Sequence, residues 1–343
     1  MRRRDLLRAA GLGVAELAGC AGLVTTESTG APPVLDDRPD AVYYPTHVEG
    51  MQMVGTAAAG DYQVGLTYSY PHRFWNVNGR QTSLTEVKPA DDVHLMAMVW
   101  DSQTGRVLPE AGLSVELTWN GDLVSQEVIY PMLSQPMGFH YGANFGLDGD
   151  GTYDVAVSVG GVTTRRTGTY TDRFGEPASA SIAFDYATSE RDQIPYRPTP
   201  DRAGEPGAVE PMEMEMLPTG VAPSRDALPG VLGTARTGDA QLVVGALAEP
   251  PAGVDGEGRY LYVSARTPYN RMVIPAMAVE AATADFEGAL TRTLDPELGY
   301  HYGAPVDAIG ESVRIEPTLP PQTARHEGYE TAFMSFEPVE VAA

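Results

Sequence analysis

An all-β chain of two β-sandwich domains in tandem is the fold class that three features of this 343-residue sequence predict. Strand-like runs recur at short intervals, broken by Gly, Asn, Asp and Pro. Helical periodicity is nearly absent. A Pro- and Gly-rich stretch separates two halves that echo one another. Short alternating runs with turn signals between them indicate sandwiches or barrels.

The N-terminus reads as an export signal. Arg2, Arg3 and Arg4 precede Leu6 and Leu7 and then a small-residue apolar run to Ala18, the layout of a secretory leader of the twin-arginine kind. Leu17-Ala18-Gly19-Cys20 closes residues 1–20 as a lipobox would, with Cys20, the sole cysteine, as the lipidated residue. The run is shorter than the ~20 residues a spanning helix needs. Residues 21–40, rich in Thr, Ser, Pro and Gly, read as a tether. The expected location is the outer face of the cytoplasmic membrane, held by lipid; stable anchoring needs more than one acyl chain or a second contact.

The first sandwich is placed at residues 41–188, with strands at Tyr62–Tyr70, Val93–Trp100, Leu113–Trp119 and Thr152–Val159. Asp148-Gly149-Asp150-Gly151 reads as a turn, because a calcium loop would need more spaced oxygen ligands and a closing Glu. Tyr153 then stands where the tyrosine corner of an immunoglobulin-like sandwich stands. Residues 189–217, including Ile194-Pro195-Tyr196-Arg197-Pro198, read as a linker. The second, diverged immunoglobulin-like sandwich takes residues 218–343, with strands at Ala240–Leu247, Arg259–Arg266 and Ser312–Glu316. Gly138-Phe139-His140-Tyr141-Gly142-Ala143 recurs as Gly299-Tyr300-His301-Tyr302-Gly303-Ala304. Upstream, His94 and Tyr260, like Pro109 and Pro275, stand 166 residues apart. Two anchors in one order indicate an internal duplication.

A net charge of −23 with pI near 4.5 comes from dispersed carboxylates, and Lys88 is the only lysine. Such a surface suits a salt-loving organism, since at about 1 M salt the screening length falls to about 3 Å. The absence of a basic stripe excludes nucleic acid as a partner. No Gly-x-Ser-x-Gly, His-Glu-x-x-His or P-loop motif is present, which argues against an enzyme. A blue-copper site is excluded because it needs a thiolate and Cys20 belongs to the leader.

The chemistry-bearing residues gather in the first half. In Val93–Trp100, alternation puts His94, Met96 and Met98 on one face and the plain core residues Val93, Leu95, Ala97 and Val99 on the other. Met132, Met137 and His140 follow. Imidazole with thioether suits copper, particularly Cu(I). His94, Met132, His140 and Met96 are therefore candidate metal-facing residues, with Met51, Met53, His301 and His326 as additional candidates. His72 reads as part of an aromatic loop. Met212, Met214 and Met216 read as an extended segment laid against a domain.

The run Asp92-Val93-His94-Leu95, then Pro131-Met132, then Gly138-Phe139-His140-Tyr141-Gly142-Ala143-Asn144, then Gly151-Thr152-Tyr153 resembles the periplasmic iron-transport lipoprotein family over about Tyr43 to Tyr186. That resemblance implies an immunoglobulin-like fold, copper held by histidines and a methionine, iron as cargo, and an iron permease as partner. By resemblance His94, Met132 and His140 are ligands. The family's glutamate two residues after the strand histidine is Met96 here. Its later Arg-His segment is missing near Arg165-Arg166, whereas Arg325-His326-Glu327 resembles it in the second half. The first half is thus expected to hold a self-contained site. The second, with Tyr260 and Tyr262 at the strand positions, is expected to be a packing or partner module, and the chain a candidate homodimer. The competing expectation is an adhesion or partner-binding module that uses no metal, because a sandwich by itself implies no function.

Overall fold

The computed structural model describes residues 33–343, and strands account for nearly all of its regular structure. In the first half run β1 (His47–Glu49), β2 (Gln52–Ala59), β3 (Tyr62–Ser69), β4 (Phe74–Asn78), β5 (Gln81–Thr85), β6 (Val93–Trp100), β7 (Leu113–Trp119), β8 (Asp122–Ser134), β9 (Gly138–Phe145), β10 (Gly151–Val159), β11 (Arg165–Arg166) and β12 (Ala178–Tyr186). Then come β13 (Tyr196–Pro198), β14 (Val231–Thr237), β15 (Ala240–Leu247), β16 (Arg259–Arg266), β17 (Ala278–Ala282), β18 (Glu287–Ala289), β19 (Thr291–Asp295), β20 (Gly299–Val306), β21 (Ser312–Leu319), β22 (Ala324–Arg325) and β23 (Val339–Ala342). The leader, Cys20 and the start of the tether lie outside the described residues. Among those described, no helix is long and apolar enough to cross a membrane.

The first half follows the order β12-β10-β7-β8-β9-β6-β3-β2. The long strand β8 serves both faces of the sandwich: its first part pairs with β7 and its last part with β9. In the second half, β11-β19-β20-β16-β15-β14 makes one sheet and β18-β17-β21-β23 the other. Alternation explains the layers. In β6, Val93, Leu95, Ala97 and Val99 enter the main core, while Met96, Met98 and Trp100 form a separate apolar cluster on the opposite face with Met137 and Leu217. In β9, Phe139, Tyr141, Ala143 and Phe145 face the core, which turns His140 to the face shared by His94. The Tyr153 hydroxyl donates to the Gly149 carbonyl at 2.7 Å, the bond a tyrosine corner makes.

The stretch 189–217 lies on the first half: β13 pairs with β1, and Met212 N–H donates to Pro136 O at 2.8 Å. Each half also receives a two-residue strand from the other. β22 lies parallel to β8, with Ala324 opposite Met132 and Arg325 opposite Leu133. β11 lies parallel to β19, with Arg165 opposite Thr293 and Arg166 opposite Leu294. This reciprocal exchange brings residues from the C-terminal end of the chain to the face of the first sheet that carries His94 and His140.

A candidate metal centre built from both halves

Three imidazoles meet at the crossing of β6, β9 and the residue after β22. His94, His140 and His326 each offer a ring nitrogen, and the three atoms lie within 4.8 Å of one another. Register puts them there. His140 sits opposite Met132 across β8 and β9, and Ala324 sits opposite Met132 on its other side. His326, two residues beyond Ala324, donates its amide to Leu133 O at 3.1 Å. The segment holding His326 is fixed by Arg325, a buried guanidinium that donates to the carbonyls of Pro321, Tyr329 and Ala332. Burial lowers the Arg325 pKa to about 9, so it stays charged at neutral pH.

The ring tautomers follow from the partners. His94 Nδ1 stands 2.7 Å from Asn144 Oδ1, an acceptor, so Nδ1 carries the proton and Nε2 a lone pair. Asn144 is itself clamped, donating to His72 O at 2.7 Å and accepting from His72 N–H. His140 Nδ1 donates to Gly138 O at 3.1 Å, which leaves its Nε2 free as well. Histidines that hold metals orient themselves in this way, by giving their other N–H to an amide or carbonyl. The Nε2 atoms of His94, His140 and His326 are all buried without a hydrogen-bond partner. Each such atom costs about 1–3 kcal/mol, and three on neighbouring rings would be an expensive defect unless an ion or a water satisfies them.

Electrostatics agree. Burial, chiefly, drops the His94 and His326 pKa well below 6.5, with the other rings adding to it, and takes His140 to about 4. All three are therefore neutral at pH 7 and present lone pairs, as ligation requires. Gly142 makes room for the group: a Cβ there would stand 2.6 Å from His94 Nε2 and 3.2 Å from Met132 Sδ. Both atoms thus border one small space, which places the Met132 thioether beside His94 Nε2. The residues present fit a soft or borderline ion.

Of the other expected ligands, two line the adjoining cavity and the rest lie elsewhere. Met96 is buried in the apolar cluster and lines a cavity of about 90 Å³ beside His140 and His326, and half-buried Met51 lines the same cavity. Met53 is exposed (37 %) and joins nothing at the site. Met214 packs against the Met96 cluster, whereas Met216 is exposed. His301 lies in the second half, hydrogen-bonded through both ring nitrogens to Gly299 O and the Tyr260 hydroxyl, each at 3.0 Å. The imidazole group thus draws one member, His326, from outside residues 41–188, the stretch expected to hold a self-contained site.

Sequence reading missed the polar side of the cavity. His72 stands with its ring 4.7 Å from that of His94 and 5.3 Å from that of His326. Glu49 holds His72 Nδ1 at 3.1 Å and His47 Nε2 at 3.0 Å, and Thr46 N–H donates to Glu327 at 3.0 Å. Burial pushes Glu49 up, but the His72 and His47 rings outweigh it and hold the carboxyl below its ordinary value. His72 follows Tyr70-Pro71 in the loop between β3 and β4, and only tertiary proximity reveals it.

Residues 226–342, about a third of the chain, match a family described as "Domain of unknown function (DUF7350)". A search among curated proteins gives no match. Solved structures similar to part of the chain include as-isolated FetP from a uropathogenic Escherichia coli strain (20 % identity, TM-score 0.29, covering 40 % of this chain and 96 % of that one). A copper-bound variant of that FetP covers 40 % and 97 % at TM-score 0.30 and 20 % identity. Copper-reconstituted P19 from Campylobacter jejuni covers 40 % and 96 % at TM-score 0.29 and 18 % identity.

Proposed function

We propose that this chain is an exported, lipid-anchored metal-binding protein that holds one copper ion through His94, His140, His326 and Met132 and serves iron uptake beside a permease, without catalysis of its own. The observation that carries the metal-binding part is the convergence of His94, His140 and His326, whose ligating ring nitrogens lie within 4.8 Å of one another and whose Nε2 atoms are buried without a partner. Three neutral imidazoles with a thioether suit copper in either common oxidation state, and disfavour hard ions that seek oxygen ligands. Bound there, copper would supply a one-electron centre. The chain's own residues would fix its geometry, with Asn144 setting the His94 ring and Gly138 O the His140 ring. Iron is cargo in this reading and not the ion held by the imidazoles.

Export and anchoring rest on the leader and on Cys20; the iron-uptake role rests on the resemblance carried by His94, Met132 and the His140-Tyr141-Gly142-Ala143-Asn144 run. The test is copper titration of chelator-treated protein. One tight equivalent is expected, and none for a His94→Ala/His140→Ala double variant. Equal binding by both proteins would reject the centre.

A further inference from the structure

The second half contains the same pocket in outline, with different contents. His301 Nδ1 bonds to Gly299 O at 3.0 Å as His140 Nδ1 does to Gly138 O, and both glycines take a positive φ, 68° and 71°. Thr167 donates its amide to Leu294 O at 3.0 Å as His326 does to Leu133 O. Met277 N–H donates to the Tyr302 hydroxyl as Ala111 N–H donates to that of Tyr141. Position by position, Tyr260 stands for His94, Thr293 for Met132, Gly303 for Gly142, Thr167 for His326 and Arg165 for Ala324. A Cβ at Gly303 would run into the Tyr260 hydroxyl, just as one at Gly142 would meet His94 Nε2.

The one large change is Arg165. Its Nη2 donates to the Tyr260 hydroxyl at 2.8 Å, to Thr293 Oγ1 at 2.8 Å and to Gly303 O at 2.9 Å. These acceptors occupy the places of His94 Nε2, Met132 Sδ and the Gly142 backbone in the first half. The Tyr260 hydroxyl, with Arg165 as donor, gives its own proton to His301 Nε2, so the remaining imidazole is satisfied rather than free. Nitrogen and sulfur donors, which suit an ion, have given way to oxygens, which suit a guanidinium fork.

We propose that the Arg165 guanidinium occupies the metal position of the second half as a built-in cation, closing that pocket to ions and fixing the chain at one bound metal. This rests on the first-half centre for its reference geometry. Placing the same group in the first half, by Ala324→Arg, should put a guanidinium against His94 and Met132 and lower bound copper from one equivalent to none, with far-UV circular dichroism unchanged. Rebuilding the second pocket in the full chain, by Arg165→Ala with Thr167→His, Tyr260→His and Thr293→Met, should raise it from one to two. A folded Ala324→Arg chain that keeps its equivalent, or a folded rebuilt chain that stays at one, overturns the proposal. Arg165→Ala alone supplies a readout that needs no metal. It should lower the melting temperature by leaving Tyr260, Thr293 and Gly303 short of a donor, and millimolar methylguanidinium should restore it in this variant but not in the parent. No selective recovery overturns the proposal. A parent chain that binds no copper would reject the first-half centre while leaving the methylguanidinium experiment to decide the role of Arg165.

Discussion

Replacing His326 by Ala separates a ligand from a packing residue, because the two roles move different quantities. His326 is the only imidazole of the centre that crosses from the second half, and its Nε2 is buried without a partner. As a ligand it is one of three nitrogen donors; since even outer-shell partners of a metal are worth 10–100-fold in affinity, its loss should weaken copper binding at least 100-fold, about 2.7 kcal/mol. With free copper at 1,000 times the parent Kd, metal stabilises the parent by about 4.1 kcal/mol and the variant by only about 1.4 kcal/mol. In the metal-free protein two terms oppose each other. Ring packing is lost, but so is an unsatisfied buried nitrogen that costs about 1–3 kcal/mol. The apo melting temperature should therefore change little while the copper-induced rise shrinks sharply. Competition titration against a chromophoric Cu(I) chelator, with thermal unfolding of apo and loaded protein, reads both. A variant Kd within threefold of the parent, accompanied by a large apo destabilisation, would make His326 a core residue and refute the reasoning.

Other outcomes follow from the same geometry. Gly142→Ala should leave the fold intact but weaken copper binding at least tenfold, because its Cβ would stand 2.6 Å from His94 Nε2; unchanged affinity in a titration would show that the metal sits elsewhere. The folded His301 pKa of about 4 lies below its ordinary value of 6.5, so the unfolded chain binds the extra proton between these values. The His301 contribution is then fully present above about pH 6.5 and lost as pH falls towards about 4, by up to about 3 kcal/mol; urea unfolding of His301→Gln should show a shallower loss over that window, and an unaltered slope would contradict the assignment. Cys20→Ser should release the protein from membranes in a fractionation experiment without altering copper binding, whereas unchanged retention would argue against lipidation.

Much of the fold was legible because strand alternation is a local signal. The strand expected at Val93–Trp100 has those bounds in the structure, and its two faces divide into core and site side as the alternation requires. That His94, Met132 and His140 share one side of the sheet was legible for the same reason, together with the resemblance around Gly142. What the sequence concealed is the exchange of β11 and β22. Two residues carry no periodicity, and their pairing partners lie more than 100 positions away. His326 could be flagged by its Arg-His setting but not assigned to the first half. Likewise Arg165 marked a missing histidine segment, and only its three acceptors reveal where its charge goes. Alternation also put Met96 on the site side of the sheet, where it lines the cavity beside His140 and His326.

X-ray absorption at the copper edge, on protein loaded with one equivalent of Cu(I), tests the central claim most directly. The account predicts multiple imidazole scattering from three histidines together with one sulfur neighbour, and the loss of one imidazole in His326→Ala. A shell dominated by oxygen, or a spectrum that His326→Ala leaves unchanged, would contradict a centre assembled from both halves of the chain.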